Sequence, residues 1–345
     1  ETDITCRAMN GGAISNNKGV NVPNCQLTMP YISQKDYDDI CFACDQDYDF
    51  IAASFVRSAK DVLDIRRILD SRNSHIRIIS KIENMQGVEN IDEIISVSDG
   101  VMVARGDMGV EIPFEEVPAI QKMIINKVYR AGKVVITATQ MLDSMMKNPR
   151  PTRAEATDVA NAVYDGTSAI MLSGETAAGA YPIEALNTMV KIAESTEASI
   201  HVKRRFMTRT DEVNADITSA ISHASCTMAM DLNASAIITV TKSGFTARRL
   251  SMWRPECPII ACSSSAKARR QMNLTWGVTP LHIEETDNTD ELIESATESA
   301  YQAGLVKQGD LVIMTAGIPL GVSGTTNMVK VHIVGHVLIE GKSIL

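Results

Sequence analysis

Five short β-branched runs recur at nearly even spacing along the first half of the chain, and this rhythm limits the open folds more than any other feature. The runs are DFIAASF (49–55), IRIISKI (76–82), GVMVARG (100–106), VVITATQ (134–140) and AIMLSGE (169–175), with starts 27, 24, 34 and 35 residues apart. Each ends in polar residues and leads into a helical pattern, as βα units of a parallel sheet do. They are apolar on both faces, as strands covered by helices require. Helix starts are marked too: Thr152-Arg153-Ala154-Glu155, behind Pro149 and Pro151, is a capping box. Eight units at this spacing come to ~240 residues, near the ~250 of a (β/α)8 barrel. The economical expectation is an α/β fold holding the last five units of a TIM barrel, the first three lying outside this chain.

A length of 345 residues predicts two domains. Near residue 200 a basic stretch, HVKRRFMTRT, reads as a connector, with Lys203, Arg204, Arg205 and Arg209 a solvated or subunit-facing helix end. Beyond it, strands near 236, 258, 278, 310 and 328 alternate with helices at about 212–231, 245–253 and 288–304, which predicts an open mixed sheet between helices. The first 24 residues, with turn signals at Asn10-Gly11-Gly12 and Asn17-Lys18-Gly19, read as a hairpin or strand end. A net charge of −9 argues against nucleic-acid and anionic-membrane partners. No apolar run approaches the ~18 residues of a spanning helix, and the N-terminus lacks a signal-peptide profile. Seven scattered cysteines favour a reducing cytoplasm. Cys41-x-x-Cys44 has no second close Cys/His pair, Cys257 and Cys262 lying far off, so buried thiols are the better reading than zinc. Met141, Met145 and Met146 read as core filler.

In parallel barrels chemistry sits where strands hand over to loops. There the sequence places Ser54; Lys81 and Glu83; Arg105, Gly106 and Asp107; Thr139; Ser173 and Glu175. Lys81 and Glu83 are two apart and point to one face of their strand. Two carboxylates from neighbouring strands suit Mg²⁺, with a lysine beside it to offset charge on a phosphoryl or enolate oxygen. The bland reading makes Lys81–Glu83 an ion pair and Asp107 a helix cap. In the second half, Thr241-Lys242-Ser243-Gly244-Phe245-Thr246 opens a helix carrying Arg248 and Arg249, a turn suited to anions. GIPLGVSGTTN (317–327) is a similar loop, with Gly321, Ser323, Gly324 and Thr325.

The segments SFVR, IISKIENMQGV, DGVMVARGDMGVEIP, AGKVVITATQMLDSM, PRPTRAEATDVANAVYDGTSAIMLSGETAAGAYP, TKSGFTA and GTTN resemble, in order and spacing, the pyruvate kinase family over almost the whole chain. The resemblance implies Mg²⁺-dependent (or Mn²⁺-dependent) phosphoryl transfer from phosphoenolpyruvate to ADP, giving pyruvate and ATP, in a cytoplasmic homotetramer. By position, Glu83 and Asp107 would hold the metal and Lys81 would face the transferring phosphoryl group and the enolate oxygen. Gly106, Asp107 and Thr139 would bind the substrate carboxylate. Thr139, with Ser173 and Glu175 near it, would face the carbon that is protonated, and Arg105 would lie close by. Ser54 would adjoin the K⁺ site, whose ligands lie outside this chain. The family's first strands also supply an arginine for the phosphate and much of the nucleotide site, so residues 1–345 alone are expected to be inactive. The loops around Thr241–Thr246 and 317–327 would bind a phosphorylated effector, such as fructose 1,6-bisphosphate, ribose 5-phosphate or AMP. The implied division is a remnant of an inserted cap domain (1–24), a partial barrel (25–205), an effector domain (206–335) and a tail (336–345). A non-catalytic effector-binding and oligomerising fragment is the alternative. An enolate-stabilising lyase ranks far behind, since such barrels lack TATQML, PTRAE and the second domain.

Overall fold

The structure, a computed structural model, describes residues 4–16, 19–23, 29–202, 206, 216–318 and 326–335. The five β-branched runs form one parallel sheet of β1 (Phe50–Ala53), β2 (Arg77–Ile82), β3 (Gly100–Ala104), β4 (Val134–Ala138) and β5 (Ala169–Met171), paired in chain order. Helix α1 (Gln34–Asp45) precedes β1. The connections hold α2 (Ala59–Ser71), α3 (Met85–Glu89), α4 (Ile91–Val97), α5 (Arg105–Glu111), α6 (Val117–Arg130) and α7 (Arg153–Asp165), and α8 (Gly174–Ala177) and α9 (Pro182–Ser199) follow β5. The capping box at Thr152 and Glu155 is formed, and α7 ends at Gly166 with φ +96°, a left-handed stop that glycine adopts without strain.

Strand alternation sorts the side chains onto two faces. Ile78 and Ile82 of β2, Val101 and Val103 of β3 and Val135 of β4 join Val62, Leu69, Ile94 and Ile124 of the helices in one core. Ile79, Met102, Ala104, Val134, Ile136 and Ala138 pack together on the opposite face. Strands β3 and β4 are buried at every position, as strands covered on both sides must be. Lys81, and Glu83 just beyond the strand, continue the row of Ile79 and project from this inner face. Two runs end earlier than their composition suggests. Arg105 and Gly106 already belong to α5, and β4 stops at Ala138 because Thr139 and Gln140 take φ of +71° and +52°.

The second sheet has the order β10-β9-β6-β7-β8, from β6 (Ala236–Val240), β7 (Ile259–Ser263), β8 (Val278–His282), β9 (Leu311–Gly317) and β10 (Thr326–Ile333). All its pairings are parallel except β9 with β10, so the sheet is open and mixed as expected. Helices α10 (Ile217–Asp231) and α11 (Phe245–Met252) cover one face through Cys226, Ala229 and Leu250. The other face is covered by α13 (Thr289–Gln302) through Leu292, Ile293 and Ala296, while α12 (Ala266–Met272) packs beside β7 and β8.

This second unit sits on the N-terminal ends of the first sheet's strands. From α12, Lys267 Nζ donates to Asp47 Oδ1 (2.7 Å), Arg270 Nε to Asp49 Oδ2 (2.9 Å) and Gln271 Nε2 to the His75 carbonyl (2.9 Å). Arg254, 7% exposed, donates to the carbonyls of Gly166 (2.7 Å) and Thr167 (3.0 Å). Its guanidinium lies 5.3 Å from the Tyr129 ring and 4.4 Å from the Trp276 ring.

Residues 4–16 and 19–23 form no strand and lie exposed, contrary to the hairpin or strand end expected there. Ile4, Met9 and Ile14 stay in solvent, and an isolated ribbon with no covered face is marginal in water. Cys41 is buried on α1 and Cys44 half-buried. Among the described residues no helix is long and apolar enough to cross a membrane. The basic run at Lys203, Arg204, Arg205 and Arg209, the loop residues Gly321, Ser323, Gly324 and Thr325, and the tail 336–345 lie outside the described residues.

Candidate active site

The exits of β1 to β3 converge on Glu83. Lys81 Nζ donates to Ser54 Oγ at 2.8 Å and lies 2.7 Å from Glu83 Oε1. Glu83 is fully buried, and its Oε2 accepts the Phe55 amide at 2.5 Å. Oε1 is held by the Lys81 ammonium alone, in an ion pair poorly aligned as a hydrogen bond. Asp107 lies in the first turn of α5, and its carboxyl acts on that of Glu83. Burial above all raises the Glu83 carboxyl over its ordinary range, against the pull of Lys81 and the Phe55 amide, and the Asp107 carboxyl adds to the rise. Two crowded carboxyls, one of them fully buried, fit a hard divalent cation, which would relieve their repulsion. Among the described residues no cluster of three or more His, Cys, Asp or Glu forms a metal-binding group. A two-acid donor set suits Mg²⁺ or Mn²⁺, which keep sites for water and substrate oxygens, better than a closed four-ligand zinc centre.

The β4 exit forms the other wall. Thr139 Oγ1 accepts the Gly106 amide at 2.7 Å and donates to the Ala138 carbonyl at 2.6 Å. A Cβ on Gly106 would come 3.3 Å from Thr139 Oγ1, so glycine lets the first turn of α5 close on β4. The left-handed Thr139 and Gln140 are strained by about 1–3 kcal/mol each and need bracing. Arg105 provides it: Nη2 donates to the Thr139 carbonyl at 2.7 Å, and Nη1 binds both Asp158 oxygens at 2.8 and 2.7 Å. Its charge is therefore spent on the turn and on α7. Glu175, 2% exposed, is likewise engaged, accepting the Leu142 amide (3.0 Å) and the Ser173 amide (2.8 Å) and tying the β4 and β5 exits together.

Sequence reasoning missed the Phe55 amide, Asp158 and Tyr31, whose hydroxyl donates to the Ser54 carbonyl at 2.8 Å. Asp158 sits in an ordinary amphipathic helix pattern and gives no signal. Phe55 left one, since its position between the end of β1 and the start of helix α2 marks a sharp strand exit.

At the second candidate site, Thr241 Oγ1 accepts the Gly244 amide at 3.1 Å, and Gly244, at φ +75°, precedes α11. The Ser243 carbonyl accepts from Arg77 (2.8 Å) and Arg248 (3.2 Å). Burial, with Arg77 beside it, brings Arg248 down to about 9. Phe245 lies 5.2 Å from the Arg249 guanidinium, and Lys242 is exposed. Thr246 is buried, its hydroxyl 2.5 Å from that of Thr326.

Two family profiles cover most of the chain: pyruvate kinase, barrel domain, over residues 1–186, and pyruvate kinase, alpha/beta domain, over residues 219–332. The chain belongs to the pyruvate kinase family. Its sequence is 53% identical over 334 residues to a pyruvate kinase of Clostridium acetobutylicum, covering 96% of this chain and 71% of that relative. It is 52% identical to the pyruvate kinases of Sporosarcina psychrophila and Geobacillus stearothermophilus, covering 97% and 99% of this chain. It spans only 58% of the length of each of those two relatives.

Proposed function

We propose that this chain carries the metal-, enolate- and carboxylate-binding part of a pyruvate kinase active site, which moves a phosphoryl group from phosphoenolpyruvate to ADP. The observation that carries the reading is the fully buried Glu83 carboxylate, paired with Lys81 and crowded by the Asp107 carboxyl. Glu83 and Asp107 would hold Mg²⁺ or Mn²⁺, which when bound supplies a fixed positive centre beside the reacting oxygens. Lys81, held by Ser54 and Glu83, then faces the bridging oxygen. As the P–O bond breaks and the phosphoryl group joins a terminal oxygen of ADP, its ammonium offsets the charge left on the enolate. The amides of Gly106 and Asp107 and the Thr139 hydroxyl would receive the carboxylate once substrate replaces the Gly106–Thr139 and Thr139–Ala138 hydrogen bonds. The enolate carbon then takes a proton on the Thr139 and Ser173 side, giving pyruvate. Glu175, with both oxygens bound to amides, serves as a wall and not as a proton carrier.

The K⁺ ligands and much of the nucleotide site belong to family segments outside residues 1–345, with Ser54 at their border. Cytoplasmic location, a homotetramer and the division at about residue 205 belong to the same proposal. Around Thr241–Thr246 the reading is a phosphorylated effector received by loop amides, Lys242 and Ser243, with Thr246 holding the loop to β10. A thermal-shift screen in which Lys242→Glu abolishes the response to sugar phosphates supports that part, and an unaltered response contradicts it.

The test of the main reading is a lactate-dehydrogenase-coupled assay on two polypeptides. Residues 1–345 alone are expected to give no measurable pyruvate. A fusion supplying the missing segment from the Geobacillus stearothermophilus relative is expected to be active with Mg²⁺, and to lose activity in Lys81→Met. An active fusion indifferent to Lys81→Met refutes the reading.

A further inference from the structure

Tyr31 lies in the segment leading to α1, away from every strand exit, yet its hydroxyl bonds into the turn that serves the active site. That turn joins two interactions made by adjacent residues. Ser54 Oγ accepts from Lys81 Nζ at 2.8 Å, and the Phe55 amide donates to Glu83 Oε2 at 2.5 Å. Both need the backbone to reverse between Ser54 and Phe55, where Phe55 takes φ +52°. Such a conformation persists in a non-glycine residue only when its surroundings hold it. On the far side of the turn, the Val56 amide reaches the Lys81 carbonyl at 3.3 Å and the Arg57 amide reaches Asp61 Oδ2 at 2.9 Å. On the near side the Ser54 carbonyl accepts the Tyr31 hydroxyl at 2.8 Å.

We infer that Tyr31 is a positioning residue: by holding the Ser54 carbonyl it fixes the strained Ser54–Phe55 turn, which aims Ser54 Oγ at Lys81 and the Phe55 amide at Glu83. Two features support this role. The Arg57 guanidinium lies 5.7 Å from the Tyr31 ring and reaches the Met29 carbonyl at 3.3 Å, so the ring is held in place. The phenol has acids near it, Asp61, Glu83 and Asp36, and burial above all lifts it far above its ordinary range. It therefore stays protonated and can only donate to the Ser54 carbonyl. The consequence for metal binding rests on the proposed role of Glu83 and Asp107, whereas the hold on the turn does not.

The experiment is Tyr31→Phe in the full chain, which removes one hydroxyl and keeps the ring, with Tyr37→Phe as control for an exposed tyrosine. Phenylalanine-selective ¹⁵N labelling gives six amides in the parent chain, one for each Phe, and a seventh in Tyr31→Phe and in Tyr37→Phe from the introduced residue; Phe55→Leu identifies the Phe55 signal. Tyr31→Phe is expected to move the Phe55 amide resonance and to weaken Mn²⁺ binding, followed by electron paramagnetic resonance, about fivefold, the effect of one hydrogen bond. Tyr37→Phe is expected to change neither. An unmoved Phe55 amide overturns the inference, as does a variant that only lowers the melting temperature with Mn²⁺ affinity intact. If the parent chain binds no Mn²⁺, the metal reading fails by itself. The Phe55 resonance then decides alone: movement supports the role of Tyr31 and constancy refutes it.

Discussion

The two ends of the first sheet are held by opposite kinds of contact. At the base, where the second unit docks, charges meet in pairs: Lys267 with Asp47, Arg270 with Asp47 and Asp49, and the Arg254 guanidinium against two carbonyls and two rings. At the mouth the chain keeps a fully buried acid, paired with Lys81, and a second acid that acts against its ionisation. Left-handed non-glycine residues occur at both ends, Asp47, Asn73 and Arg254 at the base and Phe55, Thr139 and Gln140 at the mouth. The base is arranged for stability and the mouth against it, the division expected of parallel barrels, whose strand exits carry chemistry. Substitutions at the two ends should therefore separate activity from stability.

The largest separation is expected from Lys81→Met in the active fusion, with kcat falling about 10²–10³-fold, far beyond what the loss of stability from leaving buried Glu83 unpaired accounts for. A comparable loss of stability would place Lys81 among the structural contacts. Arg254→Met is the mirror experiment. Leaving two buried carbonyls unpaired and two rings without their cation is expected to cost roughly 2–4 kcal/mol in denaturant unfolding, with Mn²⁺ affinity unaltered. Thr152→Ala, at the cap of α7, should cost about 1 kcal/mol.

The partner in that cap adds a pH signature. Burial alone would raise Glu155, but hydrogen bonds from Ser144 and Thr152 overcome it and leave the carboxyl below its ordinary 4.5. Its stabilisation is thus complete above pH 4.5 and drains away as pH falls through the lower, folded-state value. Glu155→Gln should therefore cost most at neutral pH and flatten the acid limb of the stability curve, the variant and the parent converging as pH falls. The smallest effect belongs to the clamp on the exposed Asp47: Lys267→Ala is expected to lower the melting temperature slightly, and less still at high salt. A larger loss would make the docking charges more than surface pairs.

Much of this was legible in the sequence because it depends on local pattern. Ile76–Ile82 alternates so that Ile78 and Ile82 face helices while Ile79 and Lys81 face inward, and period-two spacing alone places Lys81 beside Glu83. The capping box at Thr152 and Glu155 is equally local. What was not legible depends on pairings across distant segments. Nothing near Tyr31 announces that its hydroxyl meets Ser54, and Arg105, read as a mouth residue, is turned to Asp158 and the Thr139 carbonyl. Glu175 was placed at the right exit, but that its oxygens are consumed by the amides of Leu142 and Ser173 follows only from the three-dimensional turn. The hairpin expected in the first 24 residues failed for the converse reason: turn signals were present with no face to bury.

Mn²⁺ titrated into the purified chain, followed by electron paramagnetic resonance, probes the mouth most directly because it needs neither ADP nor turnover. Expected is one saturable site that loses at least about tenfold in affinity in Glu83→Gln and in Asp107→Asn, and is untouched by Arg254→Met. A chain that binds no Mn²⁺, or binds it equally well in all three variants, would contradict the assignment of Glu83 and Asp107 as a metal-holding pair.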